Sequence, residues 1–442
     1  MRRLQSLSLA IFLVSTGFWA AGFGAEQEGT VVARSGQPLK VGDKVTGKVE
    51  AGAVLTVLSR QGELLWVRAA EGGEGWLPKT AVATLAEAAS VYDPLITAKP
   101  QESKHYVRRA TVWSLRGDTA KMLADYQRAI ELGTQDASAY LNRAVQRATE
   151  GKYDEAIADY DAALRWGSEA PSVHLNRGVA YFGKGDYQKA IQDYDVALQR
   201  GEKSYSLRIN RAMAYAALGQ DAKAIGEYTE AIRLDPKNPL AYHSRGLLLG
   251  DQRRFDAAIK DFEEVLRRDP KDFEAYNSRG FVWFLKNQPE QAVRDFSEAI
   301  RLNPAFALAY NNRGYNRQLL GKYTDALADF EQAIKLAPQY AMALRNRAWL
   351  LATCPDDKVR NASEALQSAL LACKLGPSKH SSDLKVLAAA QAELGKFEEA
   401  VKSQTESLEM IPPDQPDEIK QAQELLQLYK SGKPYRFAPK PT

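Results

Sequence analysis

Residues 307–340 read ALAYNNRGYNRQLLGKYTDALADFEQAIKLAPQY. Large or small apolar side chains fall at Tyr310 and Gly314 and, after a break, at Tyr323, Ala326, Leu327, Phe330, Ala333 and Ile334. Steps of three and four residues put each set on one face of an α-helix. Gly321 between the sets lets the chain reverse, and Pro338 stops the second helix. The stretch is a helical hairpin. Its small residues, Gly314 and Ala326, allow the two helices to approach closely.

The same pattern starts at 103, 137, 171, 205, 239, 273, 307 and 341, and a ninth time at 381 after an insertion. Counted from those starts, position 8 is Gly or Ala, as in Ala144, Gly178, Gly246 and Gly314. Position 20 is alanine from Ala156 to Ala400, with Met122 in the first unit. The second helices end on Gly133, Gly167 and Gly201 in the first three units and on Pro236, Pro270, Pro304, Pro338, Pro377 and Pro412 later. Glycine suits a left-handed cap and proline cannot continue a helix. Self-similarity at a fixed period marks a repeat array.

Small residues at 8, 20 and 27, an aromatic at 24 and proline at 32 make residues 103–412 resemble tetratricopeptide repeats. The resemblance implies an all-α superhelical solenoid of about nine helical hairpins whose first helices line an inner groove. It also implies a protein or peptide ligand held there, and assembly roles in the cell envelope. The chain departs from that family at position 7, where Arg stands in eight units in place of the common Leu. Residues 413–442 resemble the extra helix that covers the end of such arrays, followed by an irregular tail.

The segment before the array is different. Valines at 31, 32, 45, 49, 54 and 57 alternate with turn signals, which predicts strands over residues 28–85. The run Glu63-Leu64-Leu65-Trp66-Val67-Arg68, a glycine-rich turn and the pair Gly75-Trp76 resemble a bacterial SH3-like domain. The fold class is therefore multidomain, a small all-β SH3-like barrel followed by the solenoid. Exposed aromatics of such barrels can hold peptides or cell-wall stems; the structural expectation is that Trp66 and Trp76 fill a small core. Pro94 and Pro100 mark residues 86–102 as a linker. Arg2 and Arg3 ahead of the apolar run Leu7 to Ala25 read as a signal peptide over residues 1–24, which predicts a periplasmic or extracellular protein. An uncleaved N-terminal membrane anchor is the alternative.

Nothing assembles a catalytic site, so no enzymatic activity and no cofactor are expected. Gly151-Lys152 and Gly321-Lys322 are phosphate-loop fragments that the repeat's turn explains, and Asn361 reads as a helix cap rather than a glycosylation site. The histidines at 105, 174, 243 and 380 have no partners at zinc spacing, so no metal is expected. A formal charge of +4 from 59 basic and 55 acidic residues leaves no nucleic-acid footprint. Cys354 and Cys373 are predicted to lie too far apart for a disulfide, one at a helix end and the other about 12 residues, roughly 18 Å, into the next helix.

Two patterns remain. Arg109, Arg143, Arg177, Arg211, Arg245, Arg279, Arg313 and Arg347 occupy position 7, and position 23 is acidic from Asp125 to Asp329. Pairing each acid with the arginine 18 residues later satisfies all seven, which predicts bridges between successive repeats. The second pattern is the candidate groove, at positions lining the concave face in the resembled family: Val145, Val179, Phe182, Met213, His243, Leu247, Asn277, Phe281, Phe284, Asn311, Asn312, Tyr315, Arg345, Asn346 and Trp349. Its apolar residues grow in size toward the C-terminal half, and the asparagine amides bordering them can bond a peptide backbone. Two functions stay open: an exported scaffold binding an apolar segment in this groove, or a cell-wall (peptidoglycan) binder that uses the β domain with the repeats as spacer.

Overall fold

The computed structural model describes residues 29–69, 72–376 and 380–437. The signal peptide expected over residues 1–24 lies outside them. The chain divides into two units, residues 1–235 and 236–442.

The first unit opens with seven strands: β1 (Thr30–Ala33), β2 (Gln37–Val41), β3 (Lys44–Val49), β4 (Val54–Gln61), β5 (Leu64–Ala69), β6 (Glu74–Pro78) and β7 (Val82–Thr84). They form one antiparallel sheet in the order β3-β2-β6-β5-β4-β1-β7. Its core gathers Ala33, Leu39, Val49, Leu55, Leu65, Val67 and Leu77. Gly75 is required at the β6–β2 contact, because a Cβ there would meet both Leu39 Cβ and Lys40 N at 2.8 Å.

The tryptophans do not fill this core. Leu65, Val67 and Ala69 of β5 and Gly75 and Leu77 of β6 point inward, so period two places Trp66 and Trp76 on the opposite face. There they form a cross-strand pair, with ring centroids 5.3 Å apart and an edge-on angle of 66°. Trp66 Nε1 donates to Glu74 Oε2 at 3.3 Å.

The linker expected at 86–102 is mostly a helix, Ala88–Ala98, with Pro94 inside it. Burial outweighs the proline. Tyr92 is fully buried, and it packs with Val32, Ala83, Ala88, Val91 and Val112. Its hydroxyl donates to the Gly52 carbonyl at 2.7 Å. The β domain and the first repeat thus share a core.

First helices begin at Ser103, Ala137, Pro171 and Tyr205 in the first unit and at Pro239, Phe273, Ala307, Ala341 and Ser381 in the second. These are the starts that the sequence period gives. The helix Pro416–Lys430 then covers the last hairpin with Leu425 and Tyr429 buried on it. In the hairpins of Gly178, Gly246, Gly280 and Gly314 the position-24 ring, Tyr194, Phe262, Phe296 or Phe330, lies over the glycine at position 8. In the hairpin of residues 307–336, a Cβ added at Gly314 would sit 2.8 Å from Phe330 Cε1 and 3.1 Å from the Ala326 carbonyl. Gly314→Val should therefore destabilise the second unit by about 1–3 kcal/mol in urea unfolding, because a fully buried ring has no room to retreat.

The charge ladder runs within repeats, not between them. Arg143 Nε and Nη2 bond Asp159 Oδ2 and Oδ1 at 2.8 and 2.6 Å, 16 residues apart. Arg109 with Asp125, Arg177 with Asp193, Arg245 with Asp261, Arg279 with Asp295 and Arg313 with Asp329 repeat that fork. Arg211 reaches Glu227 at 2.6 Å. The reason lies in the packing. Small residues at 8 and 20 bring the two antiparallel helices of one hairpin together, so their neighbouring positions 7 and 23 meet first. Successive repeats are still stitched, but through position 25. The remaining amino group of Arg177 bonds Asp161 at 2.6 Å, that of Arg211 bonds Asp195 at 2.6 Å, and that of Arg313 bonds Ser297 at 3.2 Å. Arg347, whose hairpin has Ser368 in place of the acid, bonds that hydroxyl at 2.8 Å and Glu331 at 3.1 Å.

Cys354 caps the helix Ala341–Thr353 and is buried, Cys373 is half-buried, and the two form no disulfide.

Candidate interaction surface

In the first unit, the groove positions are largely consumed by packing. Val179 and Met213 are buried, and Val145 is half-buried against the cluster of Ala144, Tyr160 and Val173. Phe182 tilts onto Tyr187 with centroids 5.2 Å apart. Short aliphatic side chains on first helices are held between neighbours, and little of them is left for a ligand.

The second unit divides its groove residues into three groups. The asparagines serve one another. Asn346 Nδ2 donates to Asn311 Oδ1 at 2.9 Å, Asn311 Nδ2 to Asn312 Oδ1 at 3.3 Å, and Asn312 Nδ2 to Asn277 Oδ1 at 3.1 Å. Asn277 and Asn311 are buried, so this amide ladder joins three successive first helices. Nor is Arg345 open, since its Nε bonds Asp383 Oδ1 at 2.6 Å and Asp383 is itself buried.

His243 and Leu247 form the second group, both half-buried. The His243 ring stands edge-on to Phe262, with centroids 5.4 Å apart. Burial pushes this imidazole below its ordinary value of 6.5, and the Asp272 carboxylate only partly opposes that. The unfolded chain then takes up the proton first as the pH falls. His243 therefore costs stability below about pH 6.5, down to its lower folded value. His243→Gln should flatten the fall in unfolding free energy between pH 7 and 5, as measured by urea titration at each pH.

The aromatics are the third group. Phe281 lies 5.9 Å from Phe284, and Phe284 lies 5.5 Å from Tyr315 and edge-on to it at 87°. Phe281 and Phe284 belong to the helix Phe273–Leu285 and Tyr315 to Ala307–Leu319, so one patch spans two first helices. Tyr315 is 37% exposed, unusual for a large aromatic in this unit. Trp349, the last of the stripe, is covered on one side by Lys385, whose Nζ is 5.2 Å from its ring. On another side lies Tyr435, with centroids 5.7 Å apart. Glu393, which ends the helix Ser381–Glu393, accepts from Arg360 Nε at 3.1 Å and from both amino groups of Arg436. Tyr435, Asp383 and Glu393 are not among the residues expected from the sequence. Two belong to the array's last first helix and one to a tail with no period, where the pattern of apolar positions carries no signal.

Among the described residues no group of three or more His, Cys, Asp or Glu side chains is placed to hold a metal ion, and no helix is long and apolar enough to cross a membrane.

Hairpins that recur every 34 residues, several of them closed by a glycine against an aromatic ring, define a helical-repeat protein. Tetratricopeptide repeat models match residues 141–205, 243–305 and 307–340, and a TPR repeat model matches 212–253. The helical hairpins within those residues match tetratricopeptide repeats. Among solved structures, the chain is similar to YrrB, described as a TPR protein with an unusual peptide-binding site, at 27% identity over 42% of this chain and 95% of that one, with TM-score 0.38. It is also similar to the C-terminal part of a TPR repeat-containing protein from Cytophaga hutchinsonii, at 19% identity over 55% and 97%, with TM-score 0.47. Yeast Tom70 matches at 17% identity over 78% and 92%, with TM-score 0.40. None of the curated proteins compared matches the chain.

Proposed function

We propose that this protein is an exported, non-catalytic scaffold whose second unit holds an apolar segment of another protein on Phe281, Phe284 and Tyr315. One observation carries the reading: three aromatic rings in contact across two first helices, with the outermost 37% exposed. Aromatics concentrate binding energy when a partner excludes water from them, and they are otherwise costly to leave on a surface. Export is supported by Arg2, Arg3 and the apolar run that follows them. The direct test is a photo-crosslinking residue at position 315 in the cell of origin, with one at the exposed position 331 on a second helix as control. A discrete adduct from 315 alone supports the reading; equal labelling from both positions contradicts it.

The cell-wall reading keeps one specific support, the half-buried Trp66–Trp76 pair outside the β-domain core. Paired indoles in edge contact on the strand face away from the core suit the apolar side of a sugar or a stem peptide. In that case Trp66→Ala with Trp76→Ala should abolish retention of the full chain on purified sacculi, whereas retention by the double variant removes this reading.

A further inference from the structure

Past the helix Pro416–Lys430 the chain turns at Gly432, which has φ of 70°, and runs back as an extended segment. Each residue of Tyr435-Arg436-Phe437 meets a distinct feature of the second unit. Tyr435 lies against Trp349, the last groove aromatic. Arg436 grips Glu393 with both amino groups, Nη1 to Oε2 at 2.5 Å and Nη2 to Oε1 at 3.1 Å. The Phe437 N–H donates to the Thr353 carbonyl at 2.8 Å. Thr353 ends the helix Ala341–Thr353, so its carbonyl has no partner within that helix. Glu393 in turn ends Ser381–Glu393 and is fixed by Arg360 Nε at 3.1 Å.

A ring platform, a forked carboxylate and a free helix-end carbonyl are three separate recognition elements: for an aromatic, an arginine and a backbone N–H. The forked contact distinguishes arginine from lysine, whose point charge cannot bond both oxygens in one plane. We propose that Trp349, Glu393 and Thr353 form a docking site for a segment with an aromatic, then an arginine, then a residue offering its backbone N–H, and that the chain's own Tyr435-Arg436-Phe437 occupies it as a resident ligand. A partner segment entering this end of the first-helix surface must carry the same chemistry and displace the tail. This rests on the reading of the first helices as a segment-binding face.

The test uses the full chain carrying Tyr435→Ser and Arg436→Ser, and a fluorescent, C-terminally amidated peptide of residues 432–437 as probe. The double variant should bind the peptide saturably, at least about tenfold more tightly than the unmodified chain, and a peptide with lysine for arginine should bind at least about fivefold more weakly. No binding to a variant of unchanged helical content, or equal binding to both chains, overturns the proposal. Should the variant lose helix, hydrogen exchange on the unmodified chain decides. Millimolar peptide should speed exchange of the Phe437 amide at least about tenfold, and an unchanged rate would make the tail a fixed part of the fold and end the proposal. Phe281, Phe284 and Tyr315 are untouched throughout, so failure here and failure of the aromatic patch are read separately.

Discussion

Asp193→Ala lowers the unfolding free energy of this protein by about 3–5 kcal/mol, the largest loss expected from removing one charged side chain. The carboxylate is 4% exposed and accepts from Arg177 Nε at 2.8 Å, from Arg177 Nη2 at 2.6 Å and, at 3.2 Å, meets His174 Nδ1. The Asp193 contact raises the Arg177 pKa against the desolvation that burial imposes. Without that contact the guanidinium still keeps its charge, because arginine does not lose its proton in a protein. What remains is a half-buried cation with one remaining acid, Asp161. Asp161→Ala is the control. Its side chain is 39% exposed, so water replaces it at a cost of at most about 1 kcal/mol. Urea unfolding of the two variants measures the difference, and equal losses would mean that the ladder is a surface decoration.

Tyr92→Ala should cost about 3–5 kcal/mol by emptying the core shared by the β domain and the first repeat. Tyr92→Phe keeps the ring and loses only the bond to Gly52, so about 1 kcal/mol is expected. Burial raises the Tyr92 pKa well above that of a free phenol, so the hydroxyl remains a donor throughout the working pH range. Unfolding of the β domain, followed by hydrogen exchange of the β1 and β4 amides, should accelerate in Tyr92→Ala and much less in Tyr92→Phe. If β-domain exchange is the same in Tyr92→Ala as in the parent, residues 86–102 act as the linker that Pro94 and Pro100 announce.

The array was legible because its period is redundant: nine units share a small residue at position 8, and seven of them add an aromatic at position 24, which outvotes any one misleading residue, and the helix starts follow the period to the residue. Residues 86–102 misled because two prolines weigh heavily in a single copy, while Tyr92 reveals itself only through a contact 40 positions away at Gly52. The pairing of the arginines could not be read from a count of satisfied acids. It depended on which helices come closest, and the small residues at 8 and 20 already held that answer. Trp66 and Trp76 were assigned to the core by size, although the two-residue alternation of their own strands put them on the other face. At the groove positions, position numbers alone could not separate a side chain that faces solvent from one spent on its neighbour. Asn311 and Tyr315 lie one turn apart, yet the first is 2% exposed and the second 37%.

The central claim is that the exposed aromatics of the second unit are the recognition surface. It is tested most directly by measuring the affinity of the crosslinked partner for the chain carrying Phe281→Ala, Phe284→Ala and Tyr315→Ala, beside circular dichroism of the same sample. A loss of binding of at least about 2 kcal/mol, some thirtyfold in affinity, with helical content retained, is the predicted result. Unchanged affinity in a folded triple variant would contradict the account.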